Sequence, residues 1–434
     1  MNLKLENIGI IRNADIKLNG LTVIAGENDT GKSTVGKLMF SIIKAFNRYE
    51  QDLNEGKSDR AFELIEKTYF ELRKEYDFSK DTGIRREFYP PEFLKELKKT
   101  DDPVSIIDDK INFLYGINAT GVIQHLEKIK SLYSNNESKE DIIQRALTKV
   151  FVSEFYSELS PKNYNLFSYI SISEADGLNN IFNLSIQNNK IKSLKLYDDL
   201  FFNDVTLIET PIFLQMYDLI RSASTLLDME NRDRKAPFGR TAPNIALHVK
   251  DLISKLESAQ YYQILQTYIF NSDLQNLLGS ISKITNGAGF SFEKEHRDFY
   301  FNKDGSTYYK SINTATGLKA FGMIQLLIQS NAINERALLI IDEPEIHLHP
   351  KWQIEYAKLI VELVKNNIPV LLTSHSPEII QALRFFSEQH NIRDKTAFYL
   401  TETEGVMSNI IDVSEDINKI FVKLAEPLHN LVWN

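Results

Sequence analysis

"LTVIAGENDTGKST", residues 21 to 34, carries three signals in a row. Leu21 to Ala25 is a short apolar run containing Thr22, Val23 and Ile24 and ending at a glycine, which reads as a buried strand. Gly26, Gly31, Lys32 and Ser33 then stand in the spacing G-x-x-x-x-G-K-S. Past the loop, Val35, Leu38, Met39, Ile42, Ile43 and Phe46 recur three and four apart, the apolar face of one helix. Strand, glycine loop and helix follow in the order that a phosphate loop needs. The two glycines allow backbone angles and close approaches that a Cβ would block, so successive N–H groups can turn toward phosphate oxygens. The helix adds the positive end of its dipole. Lys32 brings a mobile positive charge, Ser33 a hydroxyl for Mg2+, and Asn28, Asp29, Thr30 and Thr34 complete the expected phosphate-contacting set.

A second stretch, "LLIIDEPEIHLHP" at 338 to 350, starts as an apolar strand and ends in three carboxylates and two histidines. It supports two readings. In one, Asp342, Glu343, His347 and His349 grip a catalytic metal. In the other, Asp342 is the second Mg2+ ligand of a phosphate-loop site, carried at the end of a neighbouring strand. Glu343 then polarises the attacking water, as a general base or by orienting it. A histidine metal site usually places one helical turn between its ligands or a third ligand nearby. His347 and His349 are two apart, precede Pro350 and lie beyond the acids, which favours the second reading. "IPVLLTSHSPEII", 368 to 380, supplies a third buried strand, Val370 to Thr373, ending in Ser374 and His375. A histidine there is placed to hydrogen-bond a terminal phosphate. Ligands collect at the carboxyl ends of parallel strands in open α/β sheets, so the three strand ends are expected to converge.

Composition excludes several classes. The chain has 434 residues, 43% of them hydrophobic, enough for a sizeable core and more than one domain. Cysteine is absent, which removes disulfides and thiolate metal sites and fits a reducing cytoplasm. No apolar run reaches the roughly 20 residues of a membrane span, and the N-terminus lacks the apolar core of a signal peptide. A soluble, cytoplasmic protein is expected. The formal net charge of −9 argues against a surface coated for nucleic acid.

The stretches "GENDTGKST" (26–34), "LLIIDEPEIHLHP" (338–350) and "LLTSHSPEII" (371–380) resemble the ABC-type ATPases of the SMC and RecF group, and more closely the OLD-like ATPases of bacteria. "SINTATGLKAFGMIQLLI", 311 to 328, is similar to that family's signature segment, with Thr316 in place of the usual serine and Gly317 retained. The resemblance implies ATP and Mg2+ as cofactors, and an ATPase that converts ATP and water to ADP and phosphate. It also implies a head-to-head dimer or higher oligomer in which Thr316 and Gly317 of one copy close over the ATP of another. Leu348, His349 and Pro350 would cross that interface.

The implied fold class is α/β: an ABC-type P-loop head with a mixed sheet, plus a largely helical insertion with a short coiled-coil-like protrusion. The expected divisions are 1–47, the P-loop part of the head; 48–160, the helical insertion; 161–220, strands completing the head sheet; 221–285, a helical segment; and 286–434, with the signature, acidic strand, D-loop and switch histidine. In the insertion Phe62, Ile65, Tyr69, Leu72 and Tyr76 keep a 3-4-3-4 spacing over two heptads. Pro90-Pro91 and "SNNESKED", 134 to 141, mark helix breaks. "LFSYISI", "NIFNLSIQ", "IKSLKLYDDLFF" and "VTLIET" read as short strands, and "FSFEKEHRDFYFNKDGSTYYKS" as a hairpin turned at Asp304-Gly305. Glu209 and Gln215 are the two candidates for the family's Q-loop residue. Arg232, Arg234, Lys235 and Arg240 sit in a loop, 230 to 243, read as an exposed segment with ordinary charges in preference to a phosphate-backbone contact.

"FYLTETEGVMSNIIDVSEDINKIF" lacks the Asp-x-Asp pair of the Toprim nuclease that follows the head in several OLD-like proteins, so that nuclease is expected to be missing. A stand-alone head resembles the ATPase subunits of two-component anti-phage systems: AriA of PARIS, and PtuA of Septu and retron systems. That resemblance implies a sensor or scaffold in abortive infection that controls a separate Toprim or HNH nuclease, with a phage protein or nucleic acid as trigger and no membrane partner. The alternative is a RecF- or SMC-like DNA-repair ATPase that clamps duplex.

Overall fold

The computed structural model describes the chain apart from residues 48, 76–81, 101, 117–118, 135–137, 157, 162–165, 176, 224, 226–243, 264–271, 304–306, 347 and 434. It divides into two compact units, Met1–Asn47 with Leu147–Asn434, and Arg48–Ala146. The strands are β1 (Asn2–Ile8), β2 (Ile11–Lys17), β3 (Leu21–Ala25), β4 (Ser168–Ser173), β5 (Asn180–Gln187), β6 (Lys190–Leu196), β7 (Asp204–Ile208), β8 (Gly289–Glu293), β9 (Asp298–Lys303), β10 (Thr307–Lys310), β11 (Ala337–Asp342), β12 (Val370–Ser374), β13 (Thr396–Glu404) and β14 (Met407–Asp412). The helices are α1 (Lys32–Asn47), α2 (Tyr49–Glu75), α3 (Thr82–Glu87), α4 (Pro90–Lys99), α5 (Pro103–Gly116), α6 (Ile123–Ser134), α7 (Lys139–Phe155), α8 (Tyr217–Ser222), α9 (Leu247–Gln263), α10 (Ser272–Ile284), α11 (Thr316–Gln329), α12 (Pro350–Lys365), α13 (Pro377–Gln389) and α14 (Asn418–Trp433).

The expected α/β class with a mixed sheet is observed. In the first unit an 11-stranded sheet runs in the order β6-β5-β4-β1-β2-β14-β13-β3-β12-β11-β7. From β13 to β7 all neighbours are parallel. Parallel strands covered on both faces need continuous apolar runs, and β3 and β12 are buried at every position, as is β11 from Ala337 to Ile341. From β6 to β2 the pairing is antiparallel. There the sequence alternates: Leu3 and Leu5 are buried while Lys4 and Glu6 of β1 are not. The four segments between 166 and 210 read as strands are β4, β5, β6 and β7.

Residues 289 to 310 form two hairpins, where one had been expected. β8, β9 and β10 make a separate three-stranded antiparallel sheet. The first turn falls before Asp298, at Arg297 with φ +49°; Asp304 and Gly305 lie outside the described residues. Phe290, Phe292, Phe299 and Phe301 are all buried, and the rings of Phe292 and Phe299 lie 5.1 Å apart. β8 and β9 therefore each present phenylalanine to the core at every second position.

The second unit is helical. Its core gathers Ile65 and Leu72 of α2, Phe88, Phe93 and Leu97 around α4, Ile107, Ile111 and Leu114 of α5, and Leu126 and Ile129 of α6. The Lys110 Nζ stands 4.7 Å above the Phe93 ring and donates to the Glu87 carbonyl at 3.1 Å. On α2 the fully buried face is Ala61, Ile65, Thr68 and Leu72, with Phe62 and Tyr69 only half-buried. Of the 3-4-3-4 pattern, Ile65 and Leu72 thus lie in the bundle core while Phe62 and Tyr69 stand at its rim; Tyr76 lies outside the described residues. The insertion was expected over 48–160, whereas the compact unit closes at Ala146, partway along α7. Leu147, Val150 and Phe151 are buried, and Glu154 bonds within the first unit.

Candidate functional site

Strand register brings the motif residues to one edge of the sheet. Ala25 lies opposite Ser374 on one side and Leu400 on the other. Asp342 lies opposite Thr373, and Ile341 opposite Ile208. The residues that follow each strand, or end it, therefore emerge side by side: the loop from Gly26, Asp342 with Glu343, Ser374 with His375, and Glu209. This is the carboxyl edge where ligands collect in parallel sheets.

The loop is fixed by close contacts. Gly26 has φ +153°, and a Cβ there would fall 1.8 Å from Thr401 Oγ1. Gly31 has φ +91°, and its Cβ would meet Ile11 Cγ1 at 2.6 Å. No other residue fits either position. Thr401 Oγ1 donates to Thr30 Oγ1 at 2.7 Å, and Thr30 Oγ1 donates to the Glu27 carbonyl at 2.8 Å. Asp29 adopts the left-handed conformation, φ +58°, and is exposed with Asn28. Lys32 is buried, donates to the Glu27 carbonyl at 2.6 Å and stands 3.7 Å from Glu343 Oε1. Ser33 and Thr34 are half-buried in the first turn of α1. The first N–H groups of a helix have no intrahelical partner, so they face the same space as Lys32.

Thr373 organises both acids. Its hydroxyl bonds the Asp342 carboxylate, and it takes the Glu343 N–H at its carbonyl (3.1 Å) and at Oγ1 (3.2 Å). Burial pushes the Asp342 carboxyl above the usual range, and the charges of Glu209 and Glu343 add to this, while hydrogen bonds from Thr373 and Ser33 oppose it. Asp342 and Ser33 offer two hard oxygen donors suited to Mg2+ at this edge. Glu343 holds φ +46°, a conformation rare outside glycine that costs on the order of 1–3 kcal/mol and clusters at functional sites.

His375 is brought to the same place. Its Nδ1 lies 3.5 Å from Glu343 Oε1 and 3.1 Å from Glu345 Oε1, without hydrogen-bond geometry to either. Its backbone N–H donates to Glu345 Oε1 at 2.6 Å, as does the Ser374 hydroxyl at 2.9 Å. Burial raises the Glu345 carboxyl, against the hydrogen bonds it accepts. His349 is used otherwise: its Nδ1 caps α12 by accepting the Lys351 N–H at 3.3 Å. His347 lies outside the described residues. Among the described residues no three His, Asp or Glu side chains gather as a metal-ligand set.

Of the two Q-loop candidates, Gln215 is engaged elsewhere: its Oε1 accepts from the buried Lys319 Nζ at 2.6 Å. Glu209 directly follows β7 and flanks Asp342. Thr316 and Gly317 belong to a second cluster. Gly317 opens α11 against Trp352 and Leu348, 3.1 and 3.3 Å from where a Cβ would lie. Among the described residues no hydrogen bond or ion pair joins Thr316 or Gly317 to the loop at 26–34. The basic loop at 230–243 lies outside the described residues.

Sequence reasoning missed Thr373, Glu345, Thr401 and the residues around Glu209. Thr373 and Glu345 sit inside the quoted stretches, one and two positions from the residues that were singled out, so their adjacency was a usable signal. Thr401 carries none.

Residues 1–380 match the family described as AAA ATPase domain. Among solved structures, an SMC head domain from Thermotoga maritima is 13% identical, covering 95% of this chain and 98% of that one, with a TM-score of 0.38. A Smc head domain with an extended coiled coil, bound to the C-terminal domain of ScpA and derived from Pyrococcus furiosus, is 11% identical, covering 98% of each chain, with a TM-score of 0.39. A Smc head bound to the C-winged helix domain of ScpA is 10% identical, covering 96% and 98%, with a TM-score of 0.40. On the match over residues 1–380, the chain belongs to the AAA ATPase domain family.

Proposed function

We propose that this chain is a Mg2+-dependent ATPase that self-associates through its nucleotide sites and holds or licenses a separate nuclease in anti-phage defence. The observation that carries the ATPase reading is the meeting of Lys32, Ser33, Asp342, Glu343 and His375 at adjacent strand ends. The donor set fits a magnesium triphosphate: a buried amine, the free N–H groups opening α1, and the oxygens of Ser33 and Asp342. Ser33 and Asp342 would hold Mg2+, which would offset the charge of the phosphates. Lys32 binds the β- and γ-phosphates. Glu343, held by its N–H donating to the carbonyl and hydroxyl oxygens of Thr373, orients a water and accepts its proton as the water oxygen attacks the γ-phosphorus and ADP leaves. His375 donates a hydrogen bond to the γ-phosphate, its backbone anchored on Glu345.

Self-association is supported by Ile312, Ile346 and Ile354, which are exposed beside the signature helix and the segment entering α12. Thr316 and Gly317 then act on the nucleotide of a partner copy. The defence role rests on the resemblance in the sequence. The test is to purify the wild-type protein with Lys32→Ala and Glu343→Gln and to measure ATP binding and hydrolysis. Lys32→Ala loses binding. Glu343→Gln binds but does not hydrolyse, and accumulates a dimer or larger assembly with ATP; hydrolysis at the wild-type rate would overturn the assignment. Mass measurement of the complex purified from its native operon tests the partner. A bound nuclease supports the defence role, and bound DNA without one returns the RecF-like clamp.

A further inference from the structure

A chain of charged side chains outside the motifs reaches the same strand edge. Glu209 Oε1 lies 2.7 Å from Lys37 Nζ, one turn along α1 from Lys32 and Ser33. Glu209 Oε2 lies 3.1 Å from His248 Nε2, at the start of α9. The other ring nitrogen, Nδ1, stands 2.6 Å from Glu154 Oε2, and Glu154 Oε1 accepts the His248 backbone N–H at 3.0 Å. Ser153 takes the N–H of Leu247 in the same way at 3.1 Å. His248 and Glu154 are almost wholly buried, and the edge of Phe40 closes on the ring at 5.9 Å.

Nδ1 is hydrogen-bonded to Glu154, whereas Nε2 stands at ion-pair distance from Glu209 Oε2 without hydrogen-bond geometry; two carboxylates flanking one ring favour its doubly protonated, charged form. A buried charged histidine fixed this way is more than a packing residue. Glu154 sets the ring's position through its backbone and its side chain. The ring sets the Glu209 carboxylate, which Lys37 grips from the other side.

We propose that His248 is a positioning residue of the nucleotide site, holding the Glu209 side chain in place beside Asp342, on the side where the magnesium of the bound nucleotide would lie. This rests on the magnesium-ATP reading above. Although burial works against charge on the ring, the bonds to Glu154 and Glu209 raise its pKa to about 9. Burial likewise opposes the Glu209 charge, and the His248 and Lys37 contacts bring that carboxyl down to about 2. Lys37 and His248 thus flank Glu209, an acid outside the motifs, from two sides.

The experiment measures binding of a fluorescent ATP analogue across a Mg2+ titration and in EDTA, for wild type, His248→Gln, Glu209→Gln and the double variant, with thermal melts of each. Residues that orient the groups around a metal typically contribute 10–100-fold in metal affinity, so each single variant should raise the Mg2+ needed for half-maximal tight binding by about tenfold or more. Binding in EDTA should stay within about twofold, and the double variant should match Glu209→Gln, because His248 acts through that carboxylate. The proposal is overturned if His248→Gln lowers only the melting temperature, or if the two effects add. Where His248→Gln does not fold, Glu209→Gln alone decides, by shifting the Mg2+ midpoint or leaving it. If the wild type binds no nucleotide, the ATPase reading itself fails.

Discussion

Thr401 hands its hydroxyl hydrogen to Thr30 at 2.7 Å, across 371 positions of sequence. The phosphate loop is therefore braced from β13, a strand outside every motif. Thr401→Val removes that donor while keeping shape, and should cost about 1 kcal/mol of stability, read by chemical denaturation, together with weaker nucleotide binding. Gly26→Ala should cost more, because its Cβ would collide with the same hydroxyl. A Gly26→Ala, Thr401→Gly pair should recover part of the loss if that contact is the cause.

His375 and Glu345 can be separated kinetically. His375→Ala should lower kcat by about a hundredfold, the usual cost of one hydrogen-bond donor aimed at developing charge, with KM little changed. Glu345→Ala strips the acceptor from Ser374 and His375, and should lower both kcat and stability, the latter by about 1–3 kcal/mol. Steady-state kinetics paired with denaturation would show the difference; equal loss of kcat and affinity in His375→Ala would make that residue structural.

The His248 and Glu209 pair predicts a defined pH response. The ring's pKa rises on folding from 6.5 to about 9, so its contribution to stability is complete below about 6.5 and is lost as pH climbs through about 9. The Glu209 carboxyl falls from 4.5 to about 2, so its contribution holds above 4.5 and is lost only on strong acidification. Melting temperature should therefore fall on the alkaline side in the wild type, and less steeply in His248→Gln. The two shifts share the His248–Glu209 contact and are not additive, while Glu154 and Lys37 supply the rest of each.

A four-charge cluster ties α1 and α9 to the start of β7. Lys44 meets Asp204 at 2.7 Å and Asp251 at 2.8 Å, and Lys255 meets the same acids at 2.8 and 3.1 Å. Lys44→Met leaves two acids sharing one cation, and should destabilise by about 3 kcal/mol, the low end for breaking a buried pair. Replacing Lys44 and Asp204 together with apolar residues should cost less than the sum of the single changes, which a double-mutant cycle would measure.

The parallel half of the sheet was legible because burial on both faces writes itself as unbroken apolar runs at 21–25, 337–341 and 370–372. Each run ends in residues whose spacing is chemically restrictive. On α2 the spacing gives Ile65 and Leu72 correctly, but the small Ala61 and Thr68 pack inside while the larger Phe62 and Tyr69 stand at the rim. Glu154 and His248 are 94 positions apart and form no local pattern. A lone buried histidine in a sequence looks the same whether it packs or positions. The extra turn at Arg297 was hidden because the charged residues Glu293, Lys294, Glu295, Arg297 and Asp298 also fit the middle of a polar strand edge.

β3 finds both of its neighbours, β12 and β13, only from later sequence. During synthesis at about 5–20 residues per second, the strand and its loop leave the ribosome tens of seconds before Thr401 does. Throughout that interval an apolar segment with two open edges waits unpaired, a template for aggregation. The loop that follows β3 therefore gains its brace from Thr401 only as one of the last acts of folding.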